Sequence, residues 1–281
     1  MKGIVLGIAN VIPGVSGGTM AVVFNVYDRI IGLISPDIKK IIRSWAFWFP
    51  LVLGMAVGVL AFSKIITALL GKFPVPTKYF FIGLILGSIP LIIRKIRSSK
   101  SESKNSAPAK YWFFLALSFF IGLAMVLCMM IFGSADMDSA KESAKSLAQT
   151  TQISLDFKTC SLLFLAGAAA AVAMIIPGIS GSFLLLALGM YGTIMLAIST
   201  LNIPLLIPFG LGVVAGLIFG AALVRFLMAK IPSYTYAAIL GLIAGSVVLI
   251  YPGFASLTVI LISAATLVLG FAAAYFSSRG E

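Results

Sequence analysis

The chain has 281 residues, of which 61% are hydrophobic and only 10% charged, with a formal charge of +12 and a mean hydropathy of +1.15. Globular domains carry about a quarter charged residues, so a soluble fold would lack the residues for its polar shell, and the composition specifies an integral membrane protein. There is no histidine, and of the eight acids only Asp28 lies near a strongly apolar stretch, which leaves metal centres, cofactor ligation and paired intramembrane carboxylates nothing to draw on.

The apolar runs are long and continuous, not alternating, which predicts membrane-spanning helices of about 20 residues. In chain order, the first apolar region, 3–34, is interrupted midway by a Pro-Gly-Ser-Gly cluster. Each half is short for a span, so the region reads as a re-entrant helical hairpin with the cluster at its tip. Spans follow at 45–71, 77–95 and 110–133, with 97–110 as a flexible cytoplasmic linker. The loop 134–157 leads to a second interrupted region, 160–199, read as a second hairpin, and then to spans 204–229, 234–250 and 256–276. Repeat one is thus 1–133 and repeat two 158–281. Cys128 and Cys160 form no motif.

The basic residues set the orientation. With Lys39, Lys40 and Arg43 cytoplasmic, alternating crossings place 14 basic residues inside and 6 outside (Lys64, Lys72, Lys78, Lys141, Lys145 and Lys158). This is the positive-inside pattern, with both termini cytoplasmic and 134–157 extracytoplasmic. The positive charge is accounted for by topology and contact with membrane lipid, so no nucleic-acid partner is expected.

The chain repeats itself. Ile12-Pro13-Gly14-Val15-Ser16-Gly17 returns as Ile176-Pro177-Gly178-Ile179-Ser180-Gly181, and Tyr27 returns as Tyr191, at an offset of 164. Pro50, Gly54, Gly58, Lys72, Pro74, Thr77, Gly83, Gly87 and Ser88 recur in order at an offset of 158. One hairpin plus three spans is an odd number of crossings, so the second copy enters the membrane upside down. The expected fold is therefore an all-α polytopic membrane protein of two inverted-topology repeats. In such proteins discontinuous helices at the repeat interface form the substrate site, and two related states open to opposite sides.

At each tip, proline ends the incoming helix or fixes the turn, and the glycines permit unusual dihedrals and close approach of a ligand. Ser16 and Ser180 are natural N-caps of the outgoing arms. The free N–H groups from Gly17, Gly18 and Gly181 onward, with the hydroxyls of Ser16, Thr19, Ser180 and Ser182, suit an anion such as phosphate. The competing reading is that these residues only break a helix where other helices cover the backbone. Arg29 is a candidate partner for the anion, a snorkelling cation, or an ion-pair partner of Asp28; Asp28 is otherwise a candidate coupling residue. Lys64 and Arg225 lie within apolar spans, three positions apart when the repeats are aligned, and either receive a phosphate or snorkel. The Gly-x-x-x-Gly pairs read as tight helix packing.

The blocks "GIANVIPGVSGGTMAVVFNVYDRII" and "AVAMIIPGISGSFLLLALGMYGTI" resemble those of the PopT family of bacterial polyprenyl-phosphate (undecaprenyl-phosphate) translocases, and the resemblance extends over essentially the whole chain. It implies a bacterial plasma-membrane protein that returns the spent lipid carrier of cell-wall synthesis from the outer to the inner leaflet. In that family's motif an Asp often stands where Asn10 stands here, and a Glu at Asp28; Asn10 cannot titrate. The expected mechanism holds the phosphate between the two tips while the prenyl tail stays in lipid, and no bond is made or broken. An intramembrane phosphatase would need a base or acid beside Ser16 or Ser180, and neither serine has a His or Glu partner. A secondary transporter of a small water-soluble anion is the remaining alternative.

Overall fold

The computed structural model describes residues 2–10, 17–35, 37–100, 108–132, 156–253 and 257–277, and among them it is helical with no strand. The first copy comprises α1 (Lys2–Asn10), α2 (Gly17–Val23), α3 (Tyr27–Leu33), a short α4 (Ile38–Arg43), α5 (Trp45–Lys72), α6 (Pro74–Lys100) and α7 (Pro108–Phe132). The second comprises α8 (Phe157–Ile175), α9 (Gly181–Ala187), α10 (Tyr191–Ser199), α11 (Ile203–Lys230), α12 (Pro232–Ile250) and α13 (Leu257–Ser277). Six of these helices, α6, α7, α8, α11, α12 and α13, are long and apolar enough to cross a membrane.

Local chemistry explains the boundaries. The Asp37 carboxylate accepts the Lys40 N–H at 3.2 Å and Asp156 accepts that of Thr159 at 2.8 Å, so each caps the free amides of a helix start. Pro74 and Pro232, 158 residues apart, open α6 and α12, where a missing N–H leaves no bond unmade. Two boundaries differ from the sequence expectation. Because Asp156 adds a capped turn, α8 starts at Phe157 and runs to 19 residues, longer than the arm expected from 160. The second span does not stop at 95 but continues to Lys100, since nothing in Arg94–Lys100 breaks a helix; Lys95 is therefore helical and half-buried.

The pairing of helices has a two-fold form. Helix α1 packs on α5 as α8 packs on α11; α7 packs on α12 as α13 packs on α6; and α6 meets α12 between them. Glycine sets these distances. A Cβ on Gly58 would collide with the Ile4 carbonyl, and one on Gly216 with that of Ala168; Gly83 and Gly241 stand in the same relation to Leu267 and Phe119. The Gly-x-x-x-Gly pairs are thus packing positions, as lipid-immersed helices require, because hydrocarbon provides no hydrophobic drive to hold them together. The contacts also reveal a match between the third spans that the sequence reading missed. Gly122 lies on Ala238 and Gly270 on Phe80, an equivalence at an offset of 148.

These contacts generate a direct test. Gly241→Ala forces a methyl into the Phe119 carbonyl, whereas Gly210→Ala adds one where nothing lies within 4 Å. Gly241→Ala is expected to destabilise by about 1–3 kcal/mol, as overpacking does. Gly210→Ala should leave the melting temperature in detergent unchanged or raise it.

Candidate functional site

The break in the second interrupted region is a single tight turn. After α8 ends at Ile175, Pro177 and Gly178 form the centre of a tight turn closed by the Ile179 N–H to the Ile176 carbonyl at 3.3 Å. Gly178 has φ +88°, the left-handed value that position i+2 of a type II turn demands, and proline presets the position before it. A side chain there would also strike the Leu242 carbonyl and the Ser246 hydroxyl of α12. Helix α9 then packs back on α8, Gly181 meeting the Ala170 carbonyl. The equivalent turn of copy one, including Ser16, lies outside the described residues.

A second break follows each tip, and the sequence reading did not find it. Helices α2 and α9 both end on a left-handed residue, Asn25 (φ 53°) and Gly189 (φ 67°), 164 residues apart. Beyond them, the Val26 N–H bonds the Ala21 carbonyl and that of Met190 bonds Leu185, each at 2.9 Å. This is the reach of a Schellman cap. The signal in the sequence was an Asn and a Gly at the same place in the repeat, the two residue types that tolerate this conformation.

The start of α2 meets the turn of the second copy. The Gly178 N–H donates to Thr19 Oγ1 at 2.7 Å, and Thr19 is fully buried. The Tyr27 hydroxyl donates to the Ile175 carbonyl at 3.1 Å. Gly18 is wedged against the end of α8, where an added Cβ would come 3.2 Å from the Met174 carbonyl oxygen. Beside this junction, Ser180 and Ser182 share a hydroxyl–hydroxyl bond of 2.8 Å, with Ser182 exposed.

Two apolar cavities flank α2. One of about 280 Å³ opens from Gly17 and Gly18 between α3, the start of α5 and the end of α8. The other, about 710 Å³, lies across Met20 and Phe24, against the end of α5, the start of α6 and α13. Neither Arg29 nor Arg225 lines the smaller cavity, but each holds a part of its wall. The Arg29 guanidinium stands 4.1 Å over the ring of Phe47, a lining residue, and is itself exposed. Arg225 donates to the carbonyls of Ile31, at 2.6 Å, and Ile34, so its charge sits at the C-terminal end of α3, where the helix dipole favours a cation.

The Asp28–Arg29 pair does not form. Adjacent helical residues point in different directions, and Asp28 is paired instead with Lys95 of α6 while accepting the Tyr236 hydroxyl of α12 at 3.0 Å. The sequence expectation ends the second span at Lys95 and gives Tyr236 no role. Of the predicted site, then, Gly17, Gly18 and Thr19 are brought to the end of α8 and its turn, while Ser180, Gly181 and Ser182 follow that turn on α9's start. Arg29, Arg225 and Asp28 are arranged around α3. The side chains of Asn10 and Lys64 lie outside the described residues.

These features have counterparts among known proteins. The chain is 31% identical over 260 residues to the polyprenyl-phosphate transporter of Staphylococcus aureus (strain NCTC 8325 / PS 47), a match covering 90% of this chain and 85% of that protein. It is 29% identical over 266 residues to the polyprenyl-phosphate transporter of Vibrio cholerae serotype O1 (strain ATCC 39315 / El Tor Inaba N16961), covering 90% and 76%. No solved structure matches. A family model, VCA0040-like, undecaprenyl phosphate translocase-like, spans residues 6–268 and so takes in both interrupted motifs and the helices packed on them. The chain belongs to this undecaprenyl phosphate translocase-like family of multi-pass membrane proteins.

Proposed function

We propose that the chain carries undecaprenyl phosphate, or a similar polyprenyl phosphate, from the outer to the inner leaflet of the bacterial plasma membrane by alternating access, with the phosphate held between the two tips. The observation that carries this reading is the junction itself. Two copies of one broken-helix motif meet through Thr19 and Gly178, with hydroxyls at Ser180 and Ser182 and an apolar cavity opening from Gly17 and Gly18. A phosphate needs polar partners because a bare charge in hydrocarbon is costly; a prenyl tail needs only an apolar exit. The names of the two relatives supply the lipid class.

Inverted topology, with two re-entrant hairpins and cytoplasmic termini, is part of the same proposal. Its support is the two-fold pairing of α1–α5 with α8–α11 and of α6–α13 with α12–α7, together with the basic residues clustered at one set of helix ends. The two related arrangements then differ in which leaflet the phosphate faces. Binding and release suffice; no bond is made or broken.

In proteoliposomes loaded with undecaprenyl phosphate, the wild type is expected to move the lipid between leaflets. Ser180→Ala/Ser182→Ala should slow this about 10- to 100-fold, the range for losing a hydrogen bond to a charged group. A folded wild type that moves a soluble anion but no lipid would replace the lipid reading with the soluble-anion one. Arg225→Met separates two roles. If its bonds to α3 are its main task, it lowers the melting temperature while Arg29→Ala does not; a transport defect at unchanged stability would instead assign Arg225 to the phosphate.

A further inference from the structure

Helix α3 is tied at both ends to other elements. At its start Asp28 is paired with Lys95 of α6 and bonded by Tyr236 of α12; at its end Arg225 of α11 grips the Ile31 and Ile34 carbonyls. The repeat provides an internal comparison. At the offsets of 164 and 158 that relate the copies, the counterparts of Asp28, Lys95, Tyr236 and Arg225 are Gly192, Gly253, Lys78 and Thr67. The carboxylate and its ammonium are replaced by two glycines, one of them past the end of α12. In sequence, therefore, the Asp28–Lys95 pair has no charged counterpart in the second copy. A bond that merely supported the fold would be equally useful in both halves. One that sets a preference between two symmetry-related states must differ between them.

The pair is also poorly built as a permanent anchor. Both donors converge on Asp28 Oδ2, while Oδ1 is buried without a partner. With the Lys95 and Asp28 side chains 26% and 40% exposed and only one carboxylate oxygen engaged, the pair is held weakly enough to part. Lys95 has somewhere to remain if Asp28 leaves, because its ammonium lies 5.3 Å from the centre of the Tyr236 ring.

We propose that Asp28, Lys95 and Tyr236 form a one-sided latch. Closed, it holds α3 against the α6–α12 pair and shuts that half of the molecule; it parts when that half opens. Lys95 and Tyr236 are positioning residues that bias the balance between the two states. The latch rests on the alternating-access reading above, and weakening it moves population toward the state open on its own side.

A conformational readout tests this without substrate. In a Cys128→Ser/Cys160→Ser background, spin labels are placed at Gly32→Cys, where nothing lies within 4 Å of an added Cβ, and at Arg97→Cys, which is exposed. Pulsed EPR in lipid nanodiscs then reports the separation of α3 from α6. The intact latch should give one dominant short distance. Lys95→Met should raise the long-to-short ratio about tenfold, between the effects of an exposed and a buried pair. Tyr236→Phe, which removes only a hydroxyl, should shift it the same way by less. The charge swap Asp28→Lys/Lys95→Asp should restore the short distance, which a loss of folding would not. Distances unmoved by both Lys95→Met and Tyr236→Phe would overturn the latch. If the distances shift as stated in a protein that moves no polyprenyl phosphate, the latch stands and the lipid-transport reading falls.

Discussion

A helix broken inside hydrocarbon leaves amide and carbonyl groups that no solvent can satisfy, and each one left bare costs several kcal/mol, of the order of 2–7 for a peptide group. At the break after α8 the structure meets this constraint with side chains of the first copy. Thr19 takes the Gly178 N–H, and Tyr27 takes the carbonyl that ends α8 at Ile175. Because those bonds cross between copies, the start of α2 is joined to the end of α8. The surrounding pairs, α1 on α5, α8 on α11 and α6 on α12, hold that junction in register.

Close helix approach follows from the same solvent. Lipid offers no hydrophobic gain for bringing helices together, so contact depends on fit and on small residues. Gly58 against Ile4 and Gly216 against Ala168 are one solution used twice, as are Gly83 against Leu267 and Gly241 against Phe119. Each third span packs on the second span of the other copy, so neither copy buries its own faces alone. The repeats are interlocked through α6–α13 and α7–α12.

Three described cations around α3 are engaged by protein. Arg29 rests on Phe47, Arg225 on two backbone carbonyls and Lys95 on Asp28. A charge near the membrane interior persists where it has a partner, and here the partners belong to the walls of the smaller cavity and to the α3 attachment. Among the described residues, the junction itself presents the Thr19, Ser180 and Ser182 hydroxyls and the backbone of the second-copy turn.

The sequence by itself determined the membrane class, most of the helix positions, the doubled motif and the Pro-Gly turn of its second copy. Those follow from composition, apolar run length and the backbone preferences of proline and glycine, which act over a few neighbouring residues. The second break at Asn25 and Gly189 was also written locally, though only the matched backbone bonds of the two copies made it visible. What only the tertiary structure decided was partnership. Asp28 chose Lys95, 67 residues away, over its neighbour Arg29, and Arg225 chose the end of α3, more than 190 residues away. A side chain's direction and the helix that faces it depend on how interlocked repeats pack. No spacing along one chain encodes that, because the partners are brought together by glycine contacts made elsewhere along α6 and α11, Gly83 against Leu267 and Gly216 against Ala168.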